Sequence, residues 1–396
     1  MTDRIESVLD WLAEGAPTAA TAEDILEQLC RRIEACGVPL WRVSVFVRTL
    51  HPNIIGRRFT WQPDKPVETT AAPFEIMQDQ QFINSPVVHV FRTAAPMRRR
   101  LCEPGCPMDF DVLHDFARDG VSDYLVSPLR FTNGEIHGVS WTTRQPGGFT
   151  DEQTRALERV APALARLAEI YALRRTTRNL LDTYVGPHAG ERILHGQIRR
   201  GDTETIHAAI WLSDMRGFTA LADRLDPTRL TDLLNRFFDA QVPAIARHGG
   251  EVLKFIGDGL LAIFPVDGGD VDGASACAAA FAAARAARAE IAALEAAHAI
   301  EGVERVRFGL ALHIGAVLYG NIGGPERLDF TCIGPAVNLA ARIEKLAGEL
   351  GRTLLASAEF AARCPGLVPV GRFSLRGLEA AQRVFGLPEE TGAAER

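Results

Sequence analysis

No stretch of this 396-residue chain is apolar enough, for long enough, to suggest a membrane span. The nearest approach, from Gly273 to Ile300, is mostly alanine and carries Arg285, Arg288, Glu290 and Glu295, so it reads as a long soluble helix. The opening Met1-Thr2-Asp3-Arg4-Ile5-Glu6 is charged and lacks the apolar core of a secretory signal. A basic excess is missing too: a formal net charge of -7 speaks against a nucleic-acid partner. Arg98-Arg99-Arg100 forms the one compact basic cluster and reads as a solvated loop. Cysteines number seven, and without an export signal they read as reduced thiols of a cytoplasmic protein. Cys102 and Cys106 stand four apart with no matching second pair, so the paired spacing of a metal site is absent. His89, His114 and His137 read as hydrogen-bonded or surface residues rather than haem ligands.

What is present is enough for two domains. Hydrophobic residues make up 47% and charged residues 23%, the balance of a globular protein, and the length exceeds one ordinary core. Apolar residues recur at helical spacing from Ile5 to Cys36, broken at Pro17. Trp41–Val47 alternates as a half-buried strand. Asp123–Phe131 and Ile136–Thr143 form a strand pair joined by Asn133-Gly134, a strong hairpin signal. Thr150 caps a helix whose periodicity continues through Leu173. Residues 173–203 form a connector in which Arg174, Arg175 and Arg178 prolong that helix, Gly186-Pro187 interrupts it, and a second short helix spans Gly190 to Arg200. The connector is either a transducer or a plain spacer.

From Thr205 onward, strands at 206–212, 251–264 and 306–314 alternate with helices at 221–246, at the alanine-rich stretch and at 335–346. That order fits a layered α+β domain. Three segments there carry chemistry. Asp214 ends the first strand and precedes Met215-Arg216-Gly217-Phe218-Thr219, placing a carboxylate beside free backbone N–H groups. Lys254-Phe255-Ile256-Gly257-Asp258-Gly259 puts a second aspartate at the tip of a tight hairpin, where two glycines allow the backbone to fold sharply. In Asp329-Phe330-Thr331-Cys332-Ile333-Gly334-Pro335-Ala336-Val337-Asn338-Leu339-Ala340-Ala341-Arg342, Asn338 and Arg342 are four apart and share one face of a helix beginning near Pro335.

Together these segments resemble the catalytic domain of the class III adenylyl and guanylyl cyclases, over roughly Thr205 to Leu387. The resemblance implies a ferredoxin-like catalytic domain that pairs head to tail as a homodimer, with its active sites at the interface. It implies that Asp214, Asp258 and the Met215 carbonyl hold two Mg2+ or Mn2+ ions, hard cations suited to oxygen ligands. Arg342 neutralises charge developing on the α-phosphate and Asn338 orients the ribose. Phe218 and Thr219 join the substrate site, and Arg376 stands where the family often has a lysine for the triphosphate. Base choice falls to Lys254 and Thr331. Adenylyl cyclases of the family carry lysine with aspartate or threonine there, whereas guanylyl cyclases tend to carry glutamate and cysteine. The expected activity is therefore conversion of ATP to 3',5'-cyclic AMP and pyrophosphate. Arg216 and Lys345 read as surface or helix-stabilising charges. A degenerate nucleotide-binding module is the competing reading, and the completeness of the Asp214, Asp258, Asn338 and Arg342 set argues against it.

Residues 1–172 resemble a GAF-like sensor in the order helix, sheet, loop, hairpin, long helix and in the closing stretch from Gly147 to Ala165. The expectation is α+β throughout: a GAF-like domain at 1–172, a helical linker at 173–203 and the cyclase domain at 204–396. The N-terminal region either binds an unidentified small-molecule effector or holds the dimer together.

Overall fold

The computed structural model describes residues 2–266, 268–270, 272–296 and 306–390. The end of the alanine-rich stretch, 297–300, lies outside them. Two compact units divide at Thr183 and Tyr184.

The first unit opens with helices α1 (Thr2–Ala13) and α2 (Ala22–Ala35), then strands β1 (Arg42–Arg48), β2 (Ile54–Trp61) and β3 (Glu68–Pro73). Short helices α3 (Gln80–Ile83) and α4 (Pro86–Thr93), strand β4 (Met97–Arg99) and helix α5 (Asp111–Arg118) follow. The hairpin β5 (Asp123–Arg130) and β6 (Ile136–Thr143) then leads into α6 (Asp151–Val185). The strands form one antiparallel sheet in the order β3-β2-β1-β6-β5-β4. Alternation along the strands sends Val43, Val45, Phe59, Trp61, Val139 and Trp141 to one face. There they pack with Ile25, Leu29 and Ile33 of α2 and Leu157, Val160 and Leu164 of α6. Both helices start from reciprocal caps: Thr21 with Asp24, and Thr150 with Gln153. Helix α6 runs unbroken through Arg174, Arg175 and Arg178, and Gly186 ends it in the left-handed region (φ 88°). The short connector helix begins earlier than its spacing suggested: α7 spans Pro187–Leu194, because Pro187 is preorganised for a first helical turn.

The basic run Arg98-Arg99-Arg100 departs from expectation. It is no solvated loop, because β4 carries Arg98 and Arg99 and each guanidinium of the run has its own carboxylate: Asp123 (2.6 Å), Asp109 (2.6 Å) and, for Arg100 just past the strand, Glu103 (2.5 Å). Asp123 is fully buried and also accepts from the Phe149 amide at 3.0 Å. A carboxylate so enclosed persists only because these donors replace water.

The second unit continues with β7 (Thr203–Met215), α8 (Phe218–Ala222), α9 (Pro227–Arg247), β8 (Glu251–Ile256), β9 (Gly259–Pro265) and α10 (Ala274–Ala296). Then come β10 (Phe308–Gly323), β11 (Leu328–Ile333), α11 (Pro335–Glu349), β12 (Leu354–Ser357), α12 (Ala358–Ala361), β13 (Val368–Phe373) and β14 (Gln382–Gly386). The sheet order is β13-β14-β12-β10-β7-β9-β8, and β11 adds to the far end of β10. All pairings are antiparallel except β10 with β12. Strand β7 is apolar along its middle because both its faces are covered. Ala209, Trp211 and Met215 meet Leu233, Phe237 and Ala244 of α9 and the alanines of α10, whereas Ala208 and Ile210 face Ala336 and Ala340 of α11. Among the described residues no helix is long and apolar enough to cross a membrane.

Replacing Asp123 with alanine would leave Arg98 unpaired inside the first unit. Urea unfolding followed by circular dichroism should show that transition destabilised by about 3 kcal/mol.

Candidate active site

Two aspartates meet where β7 ends and the β8–β9 hairpin turns. Asp214 is the penultimate residue of β7 and lies opposite Gly309 of β10. Ser213 just before it is fixed from behind, its buried hydroxyl 2.6 Å from Gln241 Oε1 of α9. Asp258 sits in the two-residue turn closed by the Ile256–Gly259 pair, with Gly257 in the left-handed region at φ 62°. Gly259 is dictated by proximity. A Cβ there would press into the Ser213 carbonyl oxygen and lie 2.9 Å from Asp214 Oδ1. The hairpin therefore reaches the end of β7 closely enough for the two carboxylates to interact. Burial raises the Asp214 pKa and the Asp258 charge raises it further, with Arg216 opposing.

Arg216 belongs to this site, which corrects its reading as a surface or helix-stabilising charge. Its guanidinium pairs with Glu344 Oε1 at 2.6 Å and donates to the Glu344 carbonyl at 2.8 Å. It fills a notch left by the side-chain-free Gly309 and Gly348. Its own amide donates to the Arg307 carbonyl at 2.7 Å. Arg216 thus ties the loop after Asp214 to both β10 and α11. The signal available in the sequence was its place directly after the Asp214-Met215 pair. Lys345 by contrast is exposed.

A second group forms between β8 and β11. Lys254 Nζ lies 3.6 Å from Asp329 Oδ2. Thr331, two residues further along β11 and on the same side, is buried (3% exposed), and its hydroxyl has no hydrogen-bond partner. An orphaned buried hydroxyl carries a desolvation cost that a polar partner would relieve. Cys332 points the other way and packs with Tyr319 and Phe330. Behind β11, Tyr319 donates to Glu251 at 2.8 Å, and Arg192 of α7 lies over the rings of Tyr319 and Phe330. Asp329 was not singled out as a functional residue by the sequence; its two-residue offset from Thr331 is the signal that places it.

Asn338 is exposed and Arg342 half-buried on α11, whose buried face carries Ala336, Ala340 and Ile343. The Arg342 guanidinium reaches the turn holding Arg376, with Nη2 3.4 Å from where a Cβ on Gly377 would lie. Phe218 is half-buried against the core and Thr219 is exposed at the start of α8. Among the described residues no hydrogen bond or ion pair joins the aspartate pair to Lys254, Thr331, Asn338 or Arg342.

The aspartate pair fits a hard divalent cation by its donor chemistry: two adjacent carboxylates, one with its pKa raised by the other, and a main-chain carbonyl at Met215. Among the described residues no cluster of three or more histidine, cysteine, aspartate or glutamate ligands occurs. A cation held by so few protein ligands would complete its coordination with oxygens from outside the protein, the habit of Mg2+. Replacing Arg216 with methionine leaves Glu344 buried and unpaired. Thermal unfolding at neutral pH should show a loss of about 3 kcal/mol, recovered in large part by pairing that change with Glu344→Gln.

Residues 202–359 match the family described as adenylate and guanylate cyclase catalytic domain. The chain is 30% identical over 196 residues to an adenylate cyclase of Anabaena cylindrica, covering 48% of this chain and 37% of that protein. It is 28% identical over 177 residues to adenylate cyclase 1 of Rhizobium meliloti, covering 44% and 26%. The chain thus spans about a third of the length of these relatives. The solved adenylyl cyclase CyaB from P. aeruginosa is similar at 26% identity, with TM-score 0.42, over 46% of this chain and 94% of that one. A bacterial light-regulated adenylyl cyclase is similar at 20% identity, with TM-score 0.49, over 70% and 88%. The segment 202–359 is an adenylate and guanylate cyclase catalytic domain of the class III nucleotidyl cyclase family.

Proposed function

We propose that the protein is an adenylate cyclase that converts ATP to 3',5'-cyclic AMP and pyrophosphate at sites shared between two copies of the chain. The observation that carries this reading is the Lys254–Thr331 group. An ammonium can donate to adenine N1, and the unpartnered Thr331 hydroxyl can accept from the exocyclic amine. Asp214, Asp258 and the Met215 carbonyl would hold two Mg2+ or Mn2+ ions, which supply Lewis acidity for the ribose 3'-hydroxyl and charge neutralisation for the triphosphate. The protein's own part is positioning. Asn338 orients the ribose, Arg342 and Arg376 present guanidinium donors to phosphoryl oxygens, and Phe218 and Thr219 line the approach to the triphosphate.

Three observations support a homodimer. Asp214 registers with Gly309 and Thr331 with Gly320, eleven residues further along β10, roughly 36 Å of extended strand. Asp214 and Thr331 thus stand at opposite ends of one ladder, with Lys254 reaching Asp329 from the β8–β9 hairpin, and a second copy running head to tail would bring the missing half to each. Phe255, Ile256, Leu318 and Ile333 expose apolar surface around the β8–β9 turn and β11. Along α6, Ile170, Leu173, Leu180 and Tyr184 are exposed apolar residues, and with Thr177 they fit the a and d positions of a heptad, the seam of a two-helix coil. The first unit is proposed as a GAF-like regulatory domain. A shift of α7 would reach Thr331 through Phe330, which Arg192 covers.

GTP is the second reading, and Asp329 favours it: a carboxylate beside the base site can accept from the guanine N1–H. Against it, Lys254 holds that carboxylate and offers a donor where guanine offers another.

Purified protein with Mn2+ should form cyclic AMP from ATP, and Asp258→Asn should remove that activity while circular dichroism stays unchanged; full activity in the variant would overturn the metal assignment. Asp214→Ala and Asn338→Ala, each inactive alone, should recover about a quarter of the wild-type rate when mixed equally, since each heterodimer regains one intact site. No recovery would mean that sites are not shared. ATP and GTP competing in one reaction decide the base, and preferential formation of cyclic GMP would sink the adenylate reading.

A further inference from the structure

The second face of the N-terminal sheet carries an arrangement that neither packing nor the cyclase chemistry uses. Arg42, Ser44 and Phe46 of β1 share that face with Arg58 and Thr60 of β2, with Gly138, Ser140 and Thr142 of β6, and with Thr70 and the exposed Glu68 of the edge strand β3. Register lines Thr60, Ser44 and Ser140 into one row across three strands. Arg42 stands one step to one side of this row on β1, and Arg58 one step to the other side on β2. Ser44, Thr60 and Ser140 are all buried, and Tyr124 of β5 adds its hydroxyl to Ser140.

The hydroxyls have capacity to spare. Ser44 and Thr60 lie 3.2 Å apart, so one proton is shared between them and the other remains free to donate. The guanidiniums are half-buried and underused. The Nε atoms of Arg42 and Arg58 are buried without a hydrogen-bond partner. Arg42 lies 5.7 Å from the Phe116 ring centroid, and Arg58 makes one long contact of 3.5 Å to Thr70. Neither has an ion-pair partner among the described residues. Burial and the neighbouring Arg58 hold the Arg42 pKa below its ordinary value, with Glu68, Tyr124 and Asp119 acting weakly the other way. Two like charges kept close, partly desolvated and unpaired cost folding free energy unless something answers them. Elsewhere in the same unit the pattern is opposite, since Arg98, Arg99 and Arg100 each have a carboxylate.

We propose that this face is an oxyanion site, in which Arg42 and Arg58 clamp a phosphate or carboxylate group over the Ser44–Thr60–Ser140 hydroxyl row. A guanidinium fork matches either group, and a hydroxyl row supplies short charge-assisted bonds. The ligand class is a small organic phosphate or carboxylate, and the site is separate from the cyclase residues.

Isothermal titration of the full chain with inorganic phosphate and, separately, with succinate tests this, at constant ionic strength with chloride as the background anion. Wild-type protein should bind at least one of the two, and the one bound more tightly names the ligand's head group. Arg42→Gln with Arg58→Gln should weaken that binding at least tenfold, while the anion-free unfolding midpoint stays level or rises because an unpaired charge pair is gone. Phosphate bound at the cyclase residues would persist in this variant, so equal binding by variant and wild type overturns the proposal. Absence of binding by both anions at 10 mM, on the order of the weakest useful affinity, overturns it as well. Should the double variant fail to fold, Ser44→Ala with Thr60→Val carries the test: a tenfold weaker affinity supports the site, and unchanged affinity refutes it.

Discussion

The second unit depends on one ladder, the antiparallel pairing of β7 with β10 from Phe308–Met215 to Gly320–Thr203. Because β10 is longer than any partner on its other edge, β12 takes one part of it and β11 the far end. This forces a division of labour. Residues at the Phe308 end lie by the β8–β9 turn and gather carboxylates, while residues at the Gly323 end carry β11 and its polar side chains. Helix α11 follows β11 directly and returns along the sheet, so Glu344 comes back to Arg216 beside the aspartates. The register of a single strand pair therefore sets where each charge can stand, and shifting it by one residue would turn Asp214 to the opposite face.

Close approach at the carboxylate end leaves little freedom. Gly259 admits the Ser213 carbonyl and the Asp214 carboxylate, and Gly309 with Gly348 admits the Arg216 guanidinium. Arg216 offsets part of the repulsion between Asp214 and Asp258 without lying between them, because its charge is committed to Glu344. Two carboxylates held near one another in this way repel, and a divalent cation would relieve that repulsion.

Much of this was legible in the residues. Asp214, Asp258 and the Asn338–Arg342 pair sit in short motifs whose local geometry a sequence can express: a strand end, a glycine turn, one helical face. Lys254 is also conspicuous, being one of only three lysines in the chain. What could not be read depends on contacts between distant segments. The Arg216–Glu344 pair joins residues 128 apart, and Lys254 meets Asp329 across 75 residues. The Arg98 run misled for the same reason, since its partners Asp123 and Asp109 arrive from later elements and turn a loop-like charge cluster into a paired strand. Periodicity found α6 and the β5–β6 hairpin because both are local. It said nothing of β11 as a strand, because six residues containing Asp329 and Thr331 alternate only against a β10 folded beside them.

An unanswered buried polar group costs stability that a partner from outside the chain can restore. Thr331 and the Arg42–Arg58 pair are two such places, and they differ in kind. The Thr331 hydroxyl is neutral and single, and Lys254 is partly satisfied by Asp329, so this pair of groups suits a partner edge with both donor and acceptor. Arg42 and Arg58 present donors alone, beside hydroxyls that can also donate, so a group rich in acceptors and negative charge suits them. The two places thus suit partners of different chemistry. Their free energies of occupancy are independent unless the fold carries one to the other, and α7, seated behind β11 through Arg192 and Phe330, is the connector element in contact with the strand that bears Thr331.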